Sequence, residues 1–303
     1  MIVVTTPTGS IGHQVLENVL EHGELIRVIV RDPARLPSSV RGRVEVVSGS
    51  HGDASVVTRA FTGADAVFWL VPPDPRAPSV EAAYVDFTRP AVDALKRLQV
   101  RRVVGISALG RGTPWAADAG LVTASLAMDD LIASSGVSYR ALTNPSFMDN
   151  LLRQVGSIKD QGMFFLPLDG DRRLPSCATR DIAATAARLL LDPSWSGVGN
   201  VAVLGPEDLS FNEMAQIMSE VLGIPVRFQH IPGEAYKARL IERGMSEAMA
   251  QGNLDMMTAK SQGLDNAEPR TRESTTPTSF RQWCDEVLKP RVLSTPATTT
   301  ARG

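Results

Sequence analysis

Apolar residues in the first half of the chain fall into short β-branched runs separated by amphipathic stretches. Residues 2–4, Ile-Val-Val, form one such run, as in a strand buried on both faces. Beyond a turn, Ile11, Val15, Leu16, Val19 and Leu20 lie on one helical face, and Gly23 suits the left-handed residue that closes a helix. Runs at 25–30, 44–47, 66–71, 103–107 and 139–142 predict further strands. Between them the pattern predicts helices at 54–61, with Asp53 as N-cap, at 80–98, kinked at Pro90, and at 128–134. Strands that alternate with helices in this way predict an α/β fold with a doubly wound parallel sheet.

From residue 151 the pattern loosens. Short strands are expected at 162–167, 201–204 and 225–230. Helices are expected at 179–191, with Thr179 a candidate cap, at 211–222, capped by Ser210 and closed by Gly223, and at 234–244, 246–259 and 280–288. The implied organisation is a cofactor domain over 1–150 and a smaller C-terminal α/β substrate domain over 151–293. Part of the latter, near 176–205, is placed to return to the first sheet. The polar residues 294–303 are expected to be a disordered tail.

The turn after the first strand carries the first chemistry. Glycines at 9 and 12 let backbone amides approach a pyrophosphate and let a helix pack closely on its strand. The helix that follows offers unpaired N–H groups and the positive end of its dipole. Thr8 and Ser10 add hydroxyl donors, and the spacing is Thr6-x-x-Gly9-x-x-Gly12 rather than G-x-G-x-x-G. At the end of the second strand, where NAD-preferring sites place an acid on the ribose, stand Arg31 and, four residues on, Arg35. A guanidinium matches a 2′-phosphate, so NADPH is expected over NADH.

Ligands of such sheets sit beyond the carboxyl ends of the strands. That rule nominates residues 6–12, 31–35, 69–73, 107–110 and 144–147. Thr6, Thr8, Gly9, Ser10, Ile11, Gly12, Arg31, Arg35, Leu70, Val71, Pro72, Ser107 and Pro145 are thereby expected around the cofactor. Trp69, Pro73, Phe147 and Met148 are expected to line a substrate pocket. Ser107, whose hydroxyl can orient a carbonyl, and Tyr84, a phenol following the fourth-strand loop, are the catalytic candidates. Tyr139 opens its strand, at the end away from the ligand edge.

The rest of the composition narrows the partners. A chain of 303 residues, 43% of them hydrophobic, can bury a large core. A net charge of −2 argues against a general nucleic-acid or membrane surface. No apolar run approaches the roughly 20 residues that span a bilayer. The chain begins directly in a strand, and the expected location is cytoplasmic. Cys177 and Cys284 supply neither a disulfide framework nor zinc spacing, and His13, His22, His51 and His230 form no metal-ligand pattern.

The segments PTGSIGHQV, VRDPARLP, GADAVFWLVPP, ISALG, SGVSYRALTNPSFMDN, RLPSCATRDIAATAARLLLDP and TTPTSFRQWCDEVL occur in that order over nearly the whole chain. Together they resemble the NmrA-like atypical short-chain dehydrogenases, including quinone-reductase-like members. The resemblance implies an NADP-binding Rossmann-type domain, a smaller C-terminal domain and a substrate cleft between them. It also marks departures. The superfamily's Tyr-x-x-x-Lys pair, which some members lack, falls here on Leu121 and Ser125, and neither can give a proton or depress a neighbour's pKa. The family's first glycine is Thr6, its adenine-side aspartate matches Ser50, and an arginine common before the sixth-strand proline matches Asn144. The resemblance implies an NADPH-dependent oxidoreductase that transfers hydride, without that dyad, to a small apolar carbonyl, quinone, enone or imine. The alternative it leaves open is a non-catalytic NADP(H) sensor. A homodimer or a regulatory protein partner is compatible with either.

Overall fold

The computed structural model describes residues 1–294. The tail expected over 294–303 lies, past Ser294, outside the described residues. The β-branched runs become strands β1 (Ile2–Thr5), β2 (Ile26–Val30), β3 (Glu45–Ser48), β4 (Ala66–Trp69), β5 (Arg102–Ala108) and β6 (Ser138–Asn144). With Val198–Ala202 they build one 7-stranded sheet, ordered Val198–Ala202, β6, β5, β4, β1, β2, β3. Every neighbouring pair is parallel. The strand order reverses between β1 and β4, which opens a crevice at their carboxyl ends.

Alternate residues of each strand feed two cores. Ile2, Val4 and Phe68 pack with Val15, Leu16, Ile182 and Ala186, from helices Gly12–Leu20 and Thr179–Leu191. Val3, Val67 and Trp69 pack on the other face with Val57, Phe61, Val92, Met128 and Ile132. Segment 176–205 thus supplies both a covering helix and the seventh strand of the first sheet. The strand expected at 201–204 forms earlier, at Val198–Ala202, where Asn200 pairs with Ala141.

The helix expected at 128–134 begins seven residues sooner, as Leu121–Ala133. Its pattern was hidden because both sides are covered. Met128 and Ile132 face the sheet, while Val122 and Leu126 pack against Ala259 and Leu264. Before Pro90 the chain takes a π turn over Ala82–Asp86 and only then the α-helix Phe87–Leu98. Pro90 has no N–H to offer the carbonyl one turn back, so the helix deviates there.

Beyond β6 the short strand Ser146–Phe147 pairs with Leu174–Cys177, which pairs in turn with Asp208–Leu209. Leu174–Cys177 has no sequence pattern of its own; it is four residues long and contains Pro175. Met163–Leu166 pairs with Arg227–His230. Met148, Phe164, Phe211, Met218, Phe280 and Trp283 fill the core between these elements and helix Phe211–Leu222. That helix has the expected Ser210 cap, closed into a capping box by Glu213. Two other caps differ from expectation. Asp53 occupies its N-cap position without a side-chain hydrogen bond. Thr179 is the first helical residue, and the carboxylate of Asp149 accepts both its N–H (3.3 Å) and its hydroxyl (3.0 Å).

Asp181 on that same helix is buried and accepts the Thr278 N–H at 3.0 Å and hydroxyl at 2.7 Å. Asp181→Ala leaves both donors unpaired, a cost of about 1–3 kcal/mol. A lowered urea midpoint with unchanged m-value is the expected result; an unshifted midpoint contradicts this role for the contact.

Candidate active site at the carboxyl edge of the sheet

β1 delivers the chain into Thr6, whose φ of 51° is left-handed, a conformation that favours glycine. The Thr6 carbonyl accepts the Gly9 N–H at 2.9 Å. It also occupies the space that a Cβ on Gly12 would need, so only glycine permits this approach of helix to turn. Gly9 differs. A Cβ there would meet the Thr6 oxygen at an ordinary 3.4 Å, and nothing else in the chain demands its absence at close range. The helix starting at Gly12 has buried Ile11 as N-cap, with no side-chain cap. Among the described residues, no hydrogen bond uses the amides of Ser10, Ile11 or Gly12. The Thr6 hydroxyl is buried and without a partner. Thr8 is half-buried and Ser10 exposed on the same turn.

At the end of β2, Arg31 and Arg35 are exposed, and no ion pair or side-chain hydrogen bond among the described residues holds either guanidinium. Asp32 is spent locally: its carboxylate accepts the Ala34 N–H at 3.0 Å and caps the 3-10 turn Pro33–Arg35. Past β3, Ser50 is half-buried and its hydroxyl accepts the Gly52 N–H at 3.2 Å.

His51, which no sequence pattern marked, is buried beside this edge. Its Nε2–H donates to the Leu70 carbonyl at 3.0 Å, and its ring stands edge-on to Trp69 and Phe87 at 5.1 and 4.8 Å between centroids. Burial pushes its pKa down to about 4, against the Leu70 hydrogen bond, and the charge of Arg31 adds to the lowering.

The end of β4 corrects one expectation. Trp69 walls no pocket. Its ring is fully buried in the core with Phe61, and its indole N–H donates to Thr88 at 3.3 Å. Val71 is buried too. Leu70 and Pro73 are half-buried and Pro72 is exposed, so those three stand at the rim. The Thr5 hydroxyl donates to Phe68 O at 2.9 Å and accepts Leu70 N–H at 3.0 Å, tying β1 to β4 where the strand order reverses. Met148 is likewise core, 2% exposed among the apolar residues packed around helix Phe211–Leu222. Phe147 is half-buried against the first core, and Pro145 is buried.

The ends of β5 and β6 hold a polar cluster. Asn144 is buried; its amide N–H groups donate to Ser107 O (3.1 Å) and Leu142 O (2.7 Å), and its Oδ1 has no partner. The buried Ser107 hydroxyl bonds to Asp129, a residue that sequence reasoning missed. Asp129 is 3% exposed on helix Leu121–Ala133 and also accepts the Tyr139 O–H at 2.6 Å. Tyr139 therefore opens β6 as expected but reaches this cluster from beneath. Tyr84 is a poor proton donor here. It packs beside Ala83 and Met249, and burial pushes its phenol up to about 12. Leu121 lies in the same apolar cluster, and Ser125 is buried with no side-chain hydrogen bond among the described residues.

The sequence matches the NmrA-like family over residues 1–283. The chain belongs to the NmrA-like family. It is 31% identical over 291 residues to the (4-alkanoyl-5-oxo-2,5-dihydrofuran-3-yl)methyl phosphate reductase of Streptomyces griseus, covering 94% of this chain and 97% of that protein. It is 29% identical to the NAD(P)H azoreductase of Xenophilus azovorans, over 82% of this chain and 84% of that one. Among solved structures it superposes on an NADPH-dependent quinone oxidoreductase of Escherichia coli with a TM-score of 0.74. That likeness covers 94% of this chain and 98% of that one at 22% identity, and it shows the shared fold. Family and fold agree with the resemblance carried by the sequence segments above. Among the described residues no helix is long and apolar enough to cross a membrane.

His51 yields a pH prediction. Its folded pKa lies below the unfolded value, so the unfolded chain binds the extra proton first. The stability it contributes is present above about pH 6.5 and lost as pH falls toward 4; the full loss is about 3 kcal/mol. Asp129, pushed up to about 6, acts oppositely, losing stability as pH rises through that value. The two must be separated by a variant. His51→Gln should flatten the acid side of the stability profile relative to the parent, as measured by denaturant titrations between pH 4 and 7. An unchanged difference across that range refutes a neutral buried His51.

Proposed function

We propose that this chain is an NADPH-dependent reductase. The observation that carries the reading is a line of unused donors along the carboxyl edge of the sheet. It runs from Arg31 and Arg35 through the free amides of Ser10, Ile11 and Gly12 to the Thr6 hydroxyl. Two free guanidiniums suit a 2′-phosphate, and a helix N-terminus with no internal cap suits a pyrophosphate. The open side of Gly9 is the cradle that a Cβ would narrow. At the far end, the unpartnered Asn144 Oδ1 is an acceptor suited to an amide N–H such as a nicotinamide carboxamide carries. The residues present fit the cofactor.

When bound, NADPH supplies a hydride from its nicotinamide ring. The chain's own work is then to hold an electrophile against that ring and to exclude water. Leu70, Pro72, Pro73 and Phe147 are the apolar side chains available at the rim, once Trp69 and Met148 are assigned to the cores. The relatives' names support an electron-poor acceptor. The Streptomyces protein is named for a dihydrofuran bearing oxo and alkanoyl groups, and the Xenophilus protein for an azo group. A quinone or a conjugated enone is the acceptor class we assign here, since neither requires the tyrosine and lysine that Leu121 and Ser125 replace.

Arg31→Ala tests the cofactor assignment. Loss of a charged hydrogen bond costs about 1.5–3 kcal/mol, so NADPH affinity should fall about tenfold to a hundredfold while NADH affinity barely changes. Fluorescence titration with both nucleotides measures it, and equal losses refute the 2′-phosphate role. Protein that binds NADPH but oxidises none of it with quinones, enones or azo compounds supports the sensor alternative instead.

A further inference from the structure

Leu121, Ser125 and Asp129 are four residues apart and share one helical face. The first is spent on apolar packing against the helix Glu247–Ser261, through Met249. The last points a buried carboxylate at the next-to-last residue of β5. Ser107 reaches this carboxylate from β5, Tyr139 from β6 and Arg111 from the loop after β5, with Asp130 beside it on its own helix. Arg111 lies 3.7 Å from Asp129 and 2.9 Å from Asp130, and with 39% of its side chain exposed it connects the buried carboxyl to solvent.

We propose that Asp129 stores the proton of the reduction and passes it through the Ser107 hydroxyl to the substrate oxygen, in place of the missing tyrosine and lysine. This rests on the reductase reading above. While Asp129 is ionised, the Ser107 O–H is tied to it as donor. Once Asp129 is protonated, its own O–H donates to Ser107 Oγ and frees the serine proton to face outward. The acceptor gains the hydride and its electron pair, NADPH becomes NADP+, and the oxyanion so formed takes the Ser107 proton. Ser107 then takes the Asp129 proton, and Asp129 is reprotonated from solvent past Arg111. Ser107 is the catalytic residue in this scheme and Asp129 the positioning residue behind it.

The chemistry of the cluster agrees. Burial raises the Asp129 carboxyl to about 6, against the pull of Ser107, Tyr139 and Arg111, which brings it within range of neutral pH. Burial and the adjacent carboxylate push Tyr139 well above its ordinary value, so that phenol stays protonated and does not compete as the acid. Gly105 leaves the room in which the Tyr139 hydroxyl lies, since a Cβ there would overlap it.

The test uses the full chain with NADPH and two acceptors. One is a quinone, whose reduction needs a proton; the other is a triarylmethyl cation dye, which takes up a hydride and needs none. With the quinone, wild-type kcat/KM should fall as pH rises through the Asp129 titration. Asp129→Asn should lower the rate below that pH by about a hundredfold and abolish the limb, since general acids contribute about 10²–10⁴-fold. At saturating NADPH the loss should be at least about tenfold greater with the quinone than with the dye. Ser107→Ala, which keeps the Asp129–Tyr139 bond, should behave the same way and serves if Asp129→Asn folds poorly. Quinone activity and a pH limb retained in both variants overturn the relay, as does an equal loss on the dye. A wild type that binds NADPH and reduces neither acceptor overturns the reductase reading itself.

Discussion

The carboxyl edge of this molecule depends on how closely its first helix approaches the turn that precedes it. The Thr6 carbonyl fills the space that any side chain on Gly12 would occupy, and the same carbonyl holds the Gly9 N–H. That contact sets the helix axis against β1 and leaves the following amides directed away from the chain, without partners among the described residues. Thr6 sustains a left-handed backbone that a glycine would adopt at less cost, of order 1 kcal/mol. The strain is held by the tie of Thr5 to β4 immediately before it. Strain concentrated where the strand order reverses is consistent with a turn shaped for a ligand as much as for its own stability.

A second constraint comes from the opposite side of the sheet. Helix Leu121–Ala133 is covered twice, by the sheet on one side and by helix Glu247–Ser261 on the other. The two helices meet so closely that a Cβ on Gly120 would overlap the Gly252 backbone. In that setting Leu121 follows from packing: its place is in an apolar cluster with Met249 and Val80. The buried carboxylate of this helix, Asp129, turns instead toward Ser107 of β5, while Asp130 beside it is exposed and paired with Arg111.

Much of the fold was legible because strands buried on both faces write themselves as β-branched runs. The glycine turn at 6–12 and the exposed arginines after β2 were legible because their placement is local. What stayed hidden was non-local. Trp69 and Met148 read equally well as pocket or core, since burial of an apolar ring or thioether leaves the same mark in either place. Helix Leu121–Ala133 lost its amphipathic signal to the covering helix, and Leu174–Cys177 is a strand only because Ser146–Phe147 and Asp208–Leu209 flank it. Asp149 caps a helix that starts thirty residues later in the chain. Asp129 had one faint signal: an acid four residues beyond Ser125, on the same helical face. Nothing in the sequence said that this position faced Ser107.

The proposed phosphate cradle consists of the free amides after Thr6, those of Ser10, Ile11 and Gly12. Amide hydrogen exchange read residue by residue, with and without saturating NADPH, tests it most directly. Strong added protection at Ser10, Ile11 and Gly12, beyond any change in the strands behind them, is the expected result. Full retention of NADPH binding with unaltered exchange at those three amides would contradict it.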